Sequence, residues 1–458
     1  MLIAIIPVHS IESATALLQQ AKQADVLEFR LDYLPVIDLD QIKQLQAIAH
    51  KPVLFTLRKP QQGGVYKGDE AERLQLIEKL ITLKPDYLDI EHDVPLEFCQ
   101  KLKALSPQTQ LICSYHNFIN APDDLSDILQ HMINPVFSIY KIITTATSIL
   151  DTLRVIDFVK NHSEQYQLIS HAMGEVGVTS RLLGKIFGNY FTYASVNEEN
   201  IAPGLITLND FVNIYHYHNI NHETKIYGLI GDPVAQSIGH IFHNTEFIKH
   251  QQNAIYVKFH VKPEELNLFF QKIANLLIAG LSVTMPHKQT VLAFCTAFTD
   301  EVKAIGAANT LIKTDQGYLA ANTDGEAVIH ILPKDLKHKK IVILGAGGAA
   351  NSIIYSLKKM GATVAVYNRT IHSADVNPLE QASNADYDIL INTIPAKYYN
   401  SNIMHFIANK IILDVNYQAT PTQLIQVALQ HGCICIEGQA MFYSQAELQR
   451  QLWFNIEI

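Results

Sequence analysis

The stretch Val136-Phe137-Ser138-Ile139-Tyr140-Lys141-Ile142-Ile143 is an apolar run that predicts a buried β-strand. A buried ammonium group is costly, so Lys141 should be neutralised, paired or covalently engaged. Another apolar run upstream ends in Cys113-Ser114-Tyr115-His116-Asn117-Phe118. An amine and a histidine at the ends of neighbouring strands are the nucleophile and the proton carrier that an imine-forming enzyme needs. The alternative is a lysine that extends its charge to solvent beside an incidental histidine.

Similar apolar runs recur through the first half of the chain, with helical stretches such as Asp69 to Leu83 between them. Eight strands that alternate with helices over about 200 residues predict a (β/α)8 TIM barrel. The predicted strands begin near Leu2, Val26, Pro52, Asp86, Gln110, Val136, Gln167 and Tyr190.

Polar side chains collect where these strands end, which is where such a barrel carries its chemistry. Their shared position is hard to explain as a set of separate surface charges or structural ion pairs. Glu28 and Arg30 end the second strand, Arg58 the third, Asp89 and Glu91 the fourth and His116 the fifth; Lys141 lies late in the sixth, and Arg181 follows the seventh in a glycine-containing loop.

The composition excludes several classes of protein. A chain of 458 residues is too long for one ordinary core, so two or three domains are expected. A net charge of −9 argues against a nucleic-acid or anionic-membrane binder.

The start, Met1 to Pro7, predicts a strand and not a signal peptide, and no run approaches a membrane span. Five scattered cysteines form no metal or disulfide framework. A reducing cytoplasm fits these features, and we expect a monomer or homodimer.

The segment from Asn213 to Lys225 is polar and rich in His and Asn, and it separates two halves of different pattern. A metal site is one interpretation, but a linker or exposed helix end is favoured because the spacing matches no standard ligand set. We expect a first domain at 1–222, a second at 225–332 that the C-terminal helix 441–458 completes, and a nucleotide-binding lobe at 333–440.

The clearest signal in the second half is the run from Lys340 to Ala350, which contains G-x-G-x-x-A. A strand precedes it and a helix to Met360 follows, the setting that a dinucleotide fingerprint requires. The next strand ends in Asn368-Arg369-Thr370, where a guanidinium suits a 2′-phosphate, so NADP is favoured over NAD. The expected cofactor-binding residues are Gly345, Ala346, Gly347, Gly348, Ala349, Asn368, Arg369, Thr370 and Gly438.

These segments resemble two known families. The first half resembles type I 3-dehydroquinate dehydratase in Glu28 to Asp32, Ser114 to Asn117, Lys141-Ile142 and Gly174 to Arg181. The second half resembles shikimate dehydrogenase in Gly231 to Val234, Ser282 to Lys288, Gly306 to Thr310, Asn322 to Gly325, Asp414 to Tyr417 and Gln445-Ala446. Their order is that of the bifunctional dehydratase–dehydrogenase family. The resemblance implies an α/β fold: an N-terminal TIM barrel, then a two-lobed unit with a Rossmann lobe.

For the first half, the resemblance implies dehydration of 3-dehydroquinate to 3-dehydroshikimate through a Schiff base on Lys141. His116 would be the general base and then the acid, and Arg181 would pair with the substrate carboxylate. The residues expected to hold hydroxyl groups and order the site are Glu28, Arg30 and Arg58. Three positions depart from the family pattern, because Gln62 replaces an acid while Ile201 and Leu205 replace two polar residues.

For the second half, the resemblance implies reduction of 3-dehydroshikimate to shikimate with NADPH, with Lys288 and Asp324 as the acid/base pair. The expected substrate ligands are Ser237, Thr284, Asn309, Tyr417 and Gln445. Gly239 stands where the family has a serine. A dehydrogenase half that also or mainly accepts quinate is therefore one alternative, and a barrel that has become a non-catalytic binding module is another.

Overall fold

The computed structural model describes residues 1–197, 202–371, 374–395, 398, 405–417 and 421–455. The chain divides into two compact units. The first contains Met1–Lys225, Asn244–Val261 and Asn267–Leu276, and the second contains Ile226–His243, Lys262–Leu266 and Leu277–Ile458. The domain limits drawn from the sequence remain a prediction.

Nine strands form the first sheet, in the order β7-β6-β5-β4-β3-β2-β1-β8-β9. They are β1 Leu2–Pro7, β2 Val26–Arg30, β3 Val53–Thr56, β4 Tyr87–Glu91, β5 Gln110–His116, β6 Ile139–Thr145, β7 Leu168–Met173, β8 Thr192–Ser195 and β9 Ile206–Thr207. All eight predicted strands are present, and the largest offset is at β6, which begins at Ile139 instead of Val136.

Helices follow these strands as the alternating pattern predicts. They are α1 Ile11–Gln20, α2 Leu39–Ala49, α3 Glu70–Ile81, α4 Leu96–Leu105, α5 Leu125–Met132, α6 Ile149–His162, α7 Val178–Leu183 and α8 Leu208–Asn213. Asp69 caps α3 by accepting from the Glu72 amide, and Ser148 begins α6 with a capping box. Such caps satisfy amide groups that have no partner inside the helix.

Apolar side chains from all eight main strands meet inside the sheet, which is therefore curled into a barrel. This inner cluster contains Ile3, Ile5, Val26, Leu54, Tyr87, Ile112, Ile139, Ile143, Ile169, Met173, Phe191 and Tyr193. The Tyr190 amide, just before β8, donates to the Leu168 carbonyl at the start of β7 over 2.7 Å. The predicted TIM barrel is confirmed.

The second sheet has six strands in the order β11-β10-β12-β14-β15-β13. Its strands are β10 Lys225–Gly231, β11 Ala254–His260, β12 Ile278–Val283, β13 Ala297–Phe298, β14 Thr310–Thr314 and β15 Gly317–Ala321. The helices of this part are α9 Gly239–Lys249, α10 Leu266–Ile273, α11 Asp300–Ile305 and α12 Asp324–Ile331.

The third sheet is a parallel sheet in the order β18-β17-β16-β19-β20-β21, the doubly wound order of a Rossmann fold. Its elements are β16 Lys340–Leu344, α13 Gly348–Lys359, β17 Thr363–Asn368, β18 Val376–Pro378, β19 Ile389–Asn392, β20 Ile411–Asp414, α14 Gln423–Gln430, β21 Ile434–Ile436 and α15 Gly438–Trp453. Ile341 and Ile343 face one apolar layer while Val342 and Leu344 face the other, as a strand covered on both faces requires. None of the described helices is long and apolar enough to cross a membrane.

The segment from Asn213 to Lys225 joins α8 to β10 and is only partly exposed. Tyr217 is fully buried, and its ring meets the ring of Phe211 edge-on with 5.1 Å between centroids. The segment packs against α8 because this aromatic contact removes apolar surface from water.

Candidate active sites

A pocket opens in the first unit among side chains from the carboxyl ends of the barrel strands. Side chains alternate between the two faces of a strand. Residues two positions beyond the inner apolar residues of a strand therefore also point into the barrel. All six barrel residues that the sequence predicts line this pocket, namely Glu28, Arg30, Arg58, His116, Lys141 and Arg181. Gln62 and Leu205, two of the departures from the family pattern, line it as well. Ile201 lies outside the described residues.

Lys141 is the third residue of β6, not a late one as expected, because the strand begins only at Ile139. It is 5% exposed, so it does not extend to solvent. Its Nζ lies 3.0 Å from Oδ2 of Asp89 and 4.3 Å from the centroid of the Tyr193 ring. A buried lysine is expected to be neutralised, paired or covalently engaged, and Lys141 is paired.

Asp89 also binds Arg58, the second cation of the pocket. Its Oδ2 lies 2.6 Å from Nη2 of Arg58, and its Oδ1 accepts from Oγ of Ser114 over 2.5 Å. Ser114 in turn accepts from Nη1 of Arg58 over 2.7 Å. Burial opposes ionisation of Asp89, but the charges of Arg58 and Lys141 outweigh it and hold the pKa of Asp89 below its ordinary value. The sequence places Asp89 at a strand end without assigning it a role, and Ser114 only in a family motif.

Glu28 and Arg30 each have a partner from a neighbouring element. Arg30 donates to Asp32 from Nε over 2.9 Å and from Nη2 over 2.8 Å. Glu28 accepts from Oγ1 of Thr56, the last residue of β3, over 2.8 Å. These bonds fix the orientation of both side chains in the pocket before any ligand arrives.

Arg181 lies in α7 and not in a loop, which corrects the sequence interpretation. Its side chain is almost completely buried, and its Nε has no hydrogen-bond partner among the described residues. Burial lowers the pKa of Arg181 to about 10, so the guanidinium stays positive near neutral pH. A buried cation with an unused donor in a pocket suits a carboxylate of the ligand.

His116 ends β5, and its ring stacks on Phe118 with 6.1 Å between centroids. Oε1 of Gln62 accepts from the His116 amide over 3.0 Å and lies 3.3 Å from Nδ1. Burial, together with the charges of Arg58 and Lys141, holds the pKa of His116 well below its ordinary value. The ring is therefore neutral. Because an amide oxygen accepts at Nδ1, the proton sits there and Nε2 is the basic atom.

Two further polar residues line the pocket that the sequence interpretation missed. His171 on β7 and Tyr193 on β8 are buried, and their rings lie 5.8 Å apart. The available signal was the alternation along each strand, since His171 lies between Ile169 and Met173, which both face the barrel interior.

The second site lies in the second unit, around Lys288 and Asp324. Nζ of Lys288 is 2.5 Å from Oδ2 of Asp324, the first residue of α12. Nδ2 of Asn309 donates to the other carboxylate oxygen over 2.8 Å. Asn309 also approaches Oε1 of Gln445 at 3.5 Å, and the Gln445 carbonyl accepts from Thr323 over 3.2 Å. The structure thus brings together four of the predicted residues.

The other predicted substrate ligands have contacts of their own. Oγ of Ser237 accepts from the amide of Gly239 over 3.2 Å. The Thr284 amide donates to the Ile230 carbonyl over 2.9 Å, directly after β12. The Tyr417 ring packs on Phe442 with 5.1 Å between centroids, and burial raises the pKa of Tyr417. Their roles toward a substrate remain predictions.

The glycine loop between β16 and α13 has the form that a pyrophosphate requires. Gly345 has φ +105°, and a Cβ there would lie 2.3 Å from Oγ1 of Thr393, so a side chain is excluded. Ala346 lies between the first two glycines of the loop. A Cβ at Gly347 would meet nothing within 4 Å. Helix α13 begins at Gly348 and continues with Ala349, and no side chain caps it. The amides at this helix end are therefore available to an anion.

The loop lies beside the lysine of the second site, because a Cβ at Gly348 would be 3.6 Å from Cδ of Lys288. After β17, Asn368 donates to the Thr370 carbonyl over 2.9 Å. The Arg369 guanidinium lies 5.4 Å from the centroid of the Tyr398 ring. Gly438 begins α15, three residues before the predicted start at 441, and a Cβ there would lie 2.5 Å from the Asn416 carbonyl. These residues fit a phosphorylated dinucleotide.

Comparison with known proteins matches each half of the chain to an enzyme family. Residues 2–222 match the family model of type I 3-dehydroquinase, and residues 229–311 match that of the shikimate dehydrogenase substrate binding domain. The bifunctional 3-dehydroquinate dehydratase/shikimate dehydrogenase of Arabidopsis thaliana is 31% identical over 94% of this chain and 78% of that protein. The shikimate biosynthesis protein AroDE of Chlamydia pneumoniae is 32% identical over 97% and 93%, respectively. A shikimate dehydrogenase (NADP(+)) of Alkaliphilus oremlandii is 32% identical over 52% of this chain and 94% of its own length. The chain belongs to the family of bifunctional 3-dehydroquinate dehydratase/shikimate dehydrogenases.

Proposed function

We propose that this chain carries out two consecutive steps of the shikimate pathway. The barrel dehydrates 3-dehydroquinate to 3-dehydroshikimate, and the second unit reduces 3-dehydroshikimate to shikimate with NADPH. The observation that carries the proposal is the pocket that holds a buried lysine, a neutral histidine and a buried guanidinium with an unused donor. An imine-forming lyase that acts on a carboxylated ketone needs these three groups.

In the first reaction the Lys141 amine attacks the ring ketone, and the carbonyl oxygen leaves as water to form the imine. The protonated imine withdraws electrons and acidifies the neighbouring carbon, from which Nε2 of His116 takes a proton. His116 returns a proton to the leaving hydroxyl, which departs as a second water molecule. Water then hydrolyses the imine and frees Lys141. Asp89 stays ionised throughout and stabilises the positive imine, while Arg181 pairs with the substrate carboxylate.

In the second reaction NADPH supplies the hydride, and the protein supplies the proton. Lys288 donates a proton to the ketone oxygen, and Asp324 holds the lysine in place and accepts from Asn309 at its other oxygen. Asn309 and Gln445 would bind polar groups of the substrate ring. The amides at the start of α13 would hold the pyrophosphate, and Arg369 the 2′-phosphate.

A non-catalytic barrel is the weaker alternative. A binding module has no use for a lysine held between a carboxylate and an aromatic ring, because burying that charge costs stability without serving the fold. We also assign the chain to a reducing cytoplasm, since all five cysteines are free thiols. A monomer or homodimer without a nucleic-acid partner remains part of the proposal.

The full-length chain tests both activities in one design. The unmodified protein should convert 3-dehydroquinate to 3-dehydroshikimate and should oxidise NADPH when 3-dehydroshikimate is added. Lys141→Ala should lose the first activity and keep the second, whereas Lys288→Ala should show the reverse. A chain that binds 3-dehydroquinate but never converts it would establish the binding module instead.

A further inference from the structure

His171 and Tyr193 form a polar wall in the barrel pocket that the proposed reaction does not use. His171 is 2% exposed and Tyr193 is 4% exposed, and both line the pocket together with Lys141. The Tyr193 ring covers Nζ of Lys141 at 4.3 Å, so this residue lies beside the reactive amine. Their rings are neighbours, with centroids 5.8 Å apart.

The polar atoms of both side chains have unused hydrogen-bonding capacity. Nδ1 of His171 and Oη of Tyr193 are buried and have no hydrogen-bond partner among the described residues. A buried polar atom without a partner costs about 1–3 kcal/mol, so its presence calls for an explanation. Burial, with the nearby charges of Arg181 and Lys141, also keeps the His171 ring neutral by lowering its pKa. A neutral ring and a phenol can each bind an uncharged hydroxyl.

Another wall of the pocket offers no such groups. Ala202 and Leu205, from the segment before β9, contribute only apolar side chains there. The substrate of the proposed reaction is a polyhydroxylated ring carboxylate, and each of its hydroxyl groups needs a hydrogen-bond partner in the pocket. Hydroxyl groups left unpaired in the closed pocket would weaken binding.

We propose that His171 and Tyr193 are substrate-binding residues, whose Nδ1 and Oη hydrogen-bond oxygen atoms of 3-dehydroquinate beside the imine-forming lysine. The inference rests on the proposed dehydratase function and deepens it. In this proposal, residues of β7 and β8 provide polar contacts to the substrate, and the apolar side chain of Leu205 provides none. Their role is in binding, so it differs from the roles of Lys141 and His116.

The test replaces each polar group by an apolar one of similar shape. Tyr193→Phe removes only the hydroxyl and keeps the ring over Lys141, and His171→Leu removes the imidazole nitrogens. Each variant should raise KM for 3-dehydroquinate by about 5- to 30-fold, with kcat changed much less. Borohydride trapping of the substrate on Lys141 should persist at saturating substrate.

Thermal unfolding of the ligand-free protein separates binding from a structural role. Both variants should unfold at the same or a higher temperature than the unmodified chain, because an unsatisfied buried polar group has been removed. Tyr140→Phe is the matched control. It removes a hydroxyl next to Lys141 in the chain, but that hydroxyl donates to the Asn134 carbonyl over 3.0 Å outside the pocket. Its KM should stay within twofold of the unmodified value.

Several results would overturn the inference. They are a KM within twofold of the unmodified value in both variants, a loss confined to kcat, or a fall in unfolding temperature with unchanged KM. If the unmodified chain does not turn over 3-dehydroquinate at all, the proposed function itself fails and this assignment with it. Turnover by the unmodified chain with no effect of either variant refutes the inference alone.

Discussion

Nζ of Lys141 lies 3.0 Å from Oδ2 of Asp89, and the same oxygen lies 2.6 Å from Nη2 of Arg58. One buried carboxylate thus serves two buried cations that line the barrel pocket. Lys141 starts as a paired group, not as an isolated amine in an apolar strand. In the proposed reaction the carboxylate would already be in place to stabilise the positive imine, without rearrangement of the protein.

The first prediction concerns the imine itself. Borohydride added with 3-dehydroquinate should reduce the imine and leave a covalent adduct on Lys141, because reduction makes the bond permanent. Mass spectrometry of proteolytic fragments locates the adduct. Lys185→Ala, which changes a lysine outside the pocket, is the control and should trap as much substrate as the unmodified chain. An adduct on another lysine, or undiminished dehydration by Lys141→Ala, would contradict the assignment.

The second prediction is a pH dependence of stability that comes from Asp89. Its pKa in the folded chain lies below the ordinary value of 3.8, so the unfolded chain binds more protons in acid. The stabilisation is therefore complete above about pH 4 and is lost as the pH falls toward the folded pKa. Asp89→Asn should unfold more easily by about 3–5 kcal/mol at neutral pH, because two buried cations lose their carboxylate.

Urea unfolding of Asp89→Asn and of the unmodified chain, followed from pH 7 down to acid, measures this effect. The difference in free energy of unfolding between the two proteins should shrink as the pH drops below about 4. A difference that stays constant over the whole range would mean that Asp89 is not the titrating group.

The third prediction concerns Gln62, whose amide oxygen lies 3.3 Å from Nδ1 of His116. Gln62→Glu places a carboxylate there, which favours the protonated imidazole and should raise the pKa of His116. Since the base must be neutral, the acidic limb of the kcat/KM profile should move to higher pH by about one pH unit or more. Gln61→Glu adds the same charge at an exposed neighbouring position and should leave the acidic limb of the kcat/KM profile at its original pH. An unmoved limb in Gln62→Glu would show that another group titrates.

The fourth prediction concerns the choice of cofactor. Arg369→Ala should raise KM for NADP by about 10- to 100-fold and change KM for NAD far less, because only the 2′-phosphate loses a charge-assisted partner. Lys359→Ala removes a positive charge at the far end of α13 and should affect neither value. Equal use of NADP and NAD by the unmodified chain would refute the role of Arg369.

The fifth prediction concerns the discrimination between shikimate and quinate. Gly239 has no side chain, and its amide donates a hydrogen bond to Oγ of Ser237. Gly239→Ser should favour shikimate over quinate by about 5- to 150-fold relative to the unmodified chain, the effect of one hydrogen bond plus one close contact. Gly239→Ala separates the two effects, because it adds bulk without a hydroxyl. Ratios of kcat/KM that do not move would remove the support for quinate as a substrate.

The sequence by itself determined the barrel strands, the nucleotide-binding fingerprint and the chemistry-bearing motifs. Alternating apolar runs are local patterns, so the eight barrel strands could be predicted to within three residues at β6 and closer elsewhere. The glycine fingerprint was equally local, because the positive φ of Gly345 tolerates almost no other residue. The apolar runs around Lys141 and His116 located these two residues, and family motifs located Lys288 and Asp324.

Only the tertiary structure decided which of these groups are partners. Lys141 and Asp89 are 52 positions apart, and Asn309 and Gln445 are 136 apart, so their contacts depend on strand register and helix packing that no local pattern encodes. The same reason explains why His171 and Tyr193 were missed. Arg181 was assigned to a loop for a local reason, because Gly174 and Gly177 precede the short helix α7. A side chain's burial and its hydrogen-bond partners exist only after distant strands close into the barrel.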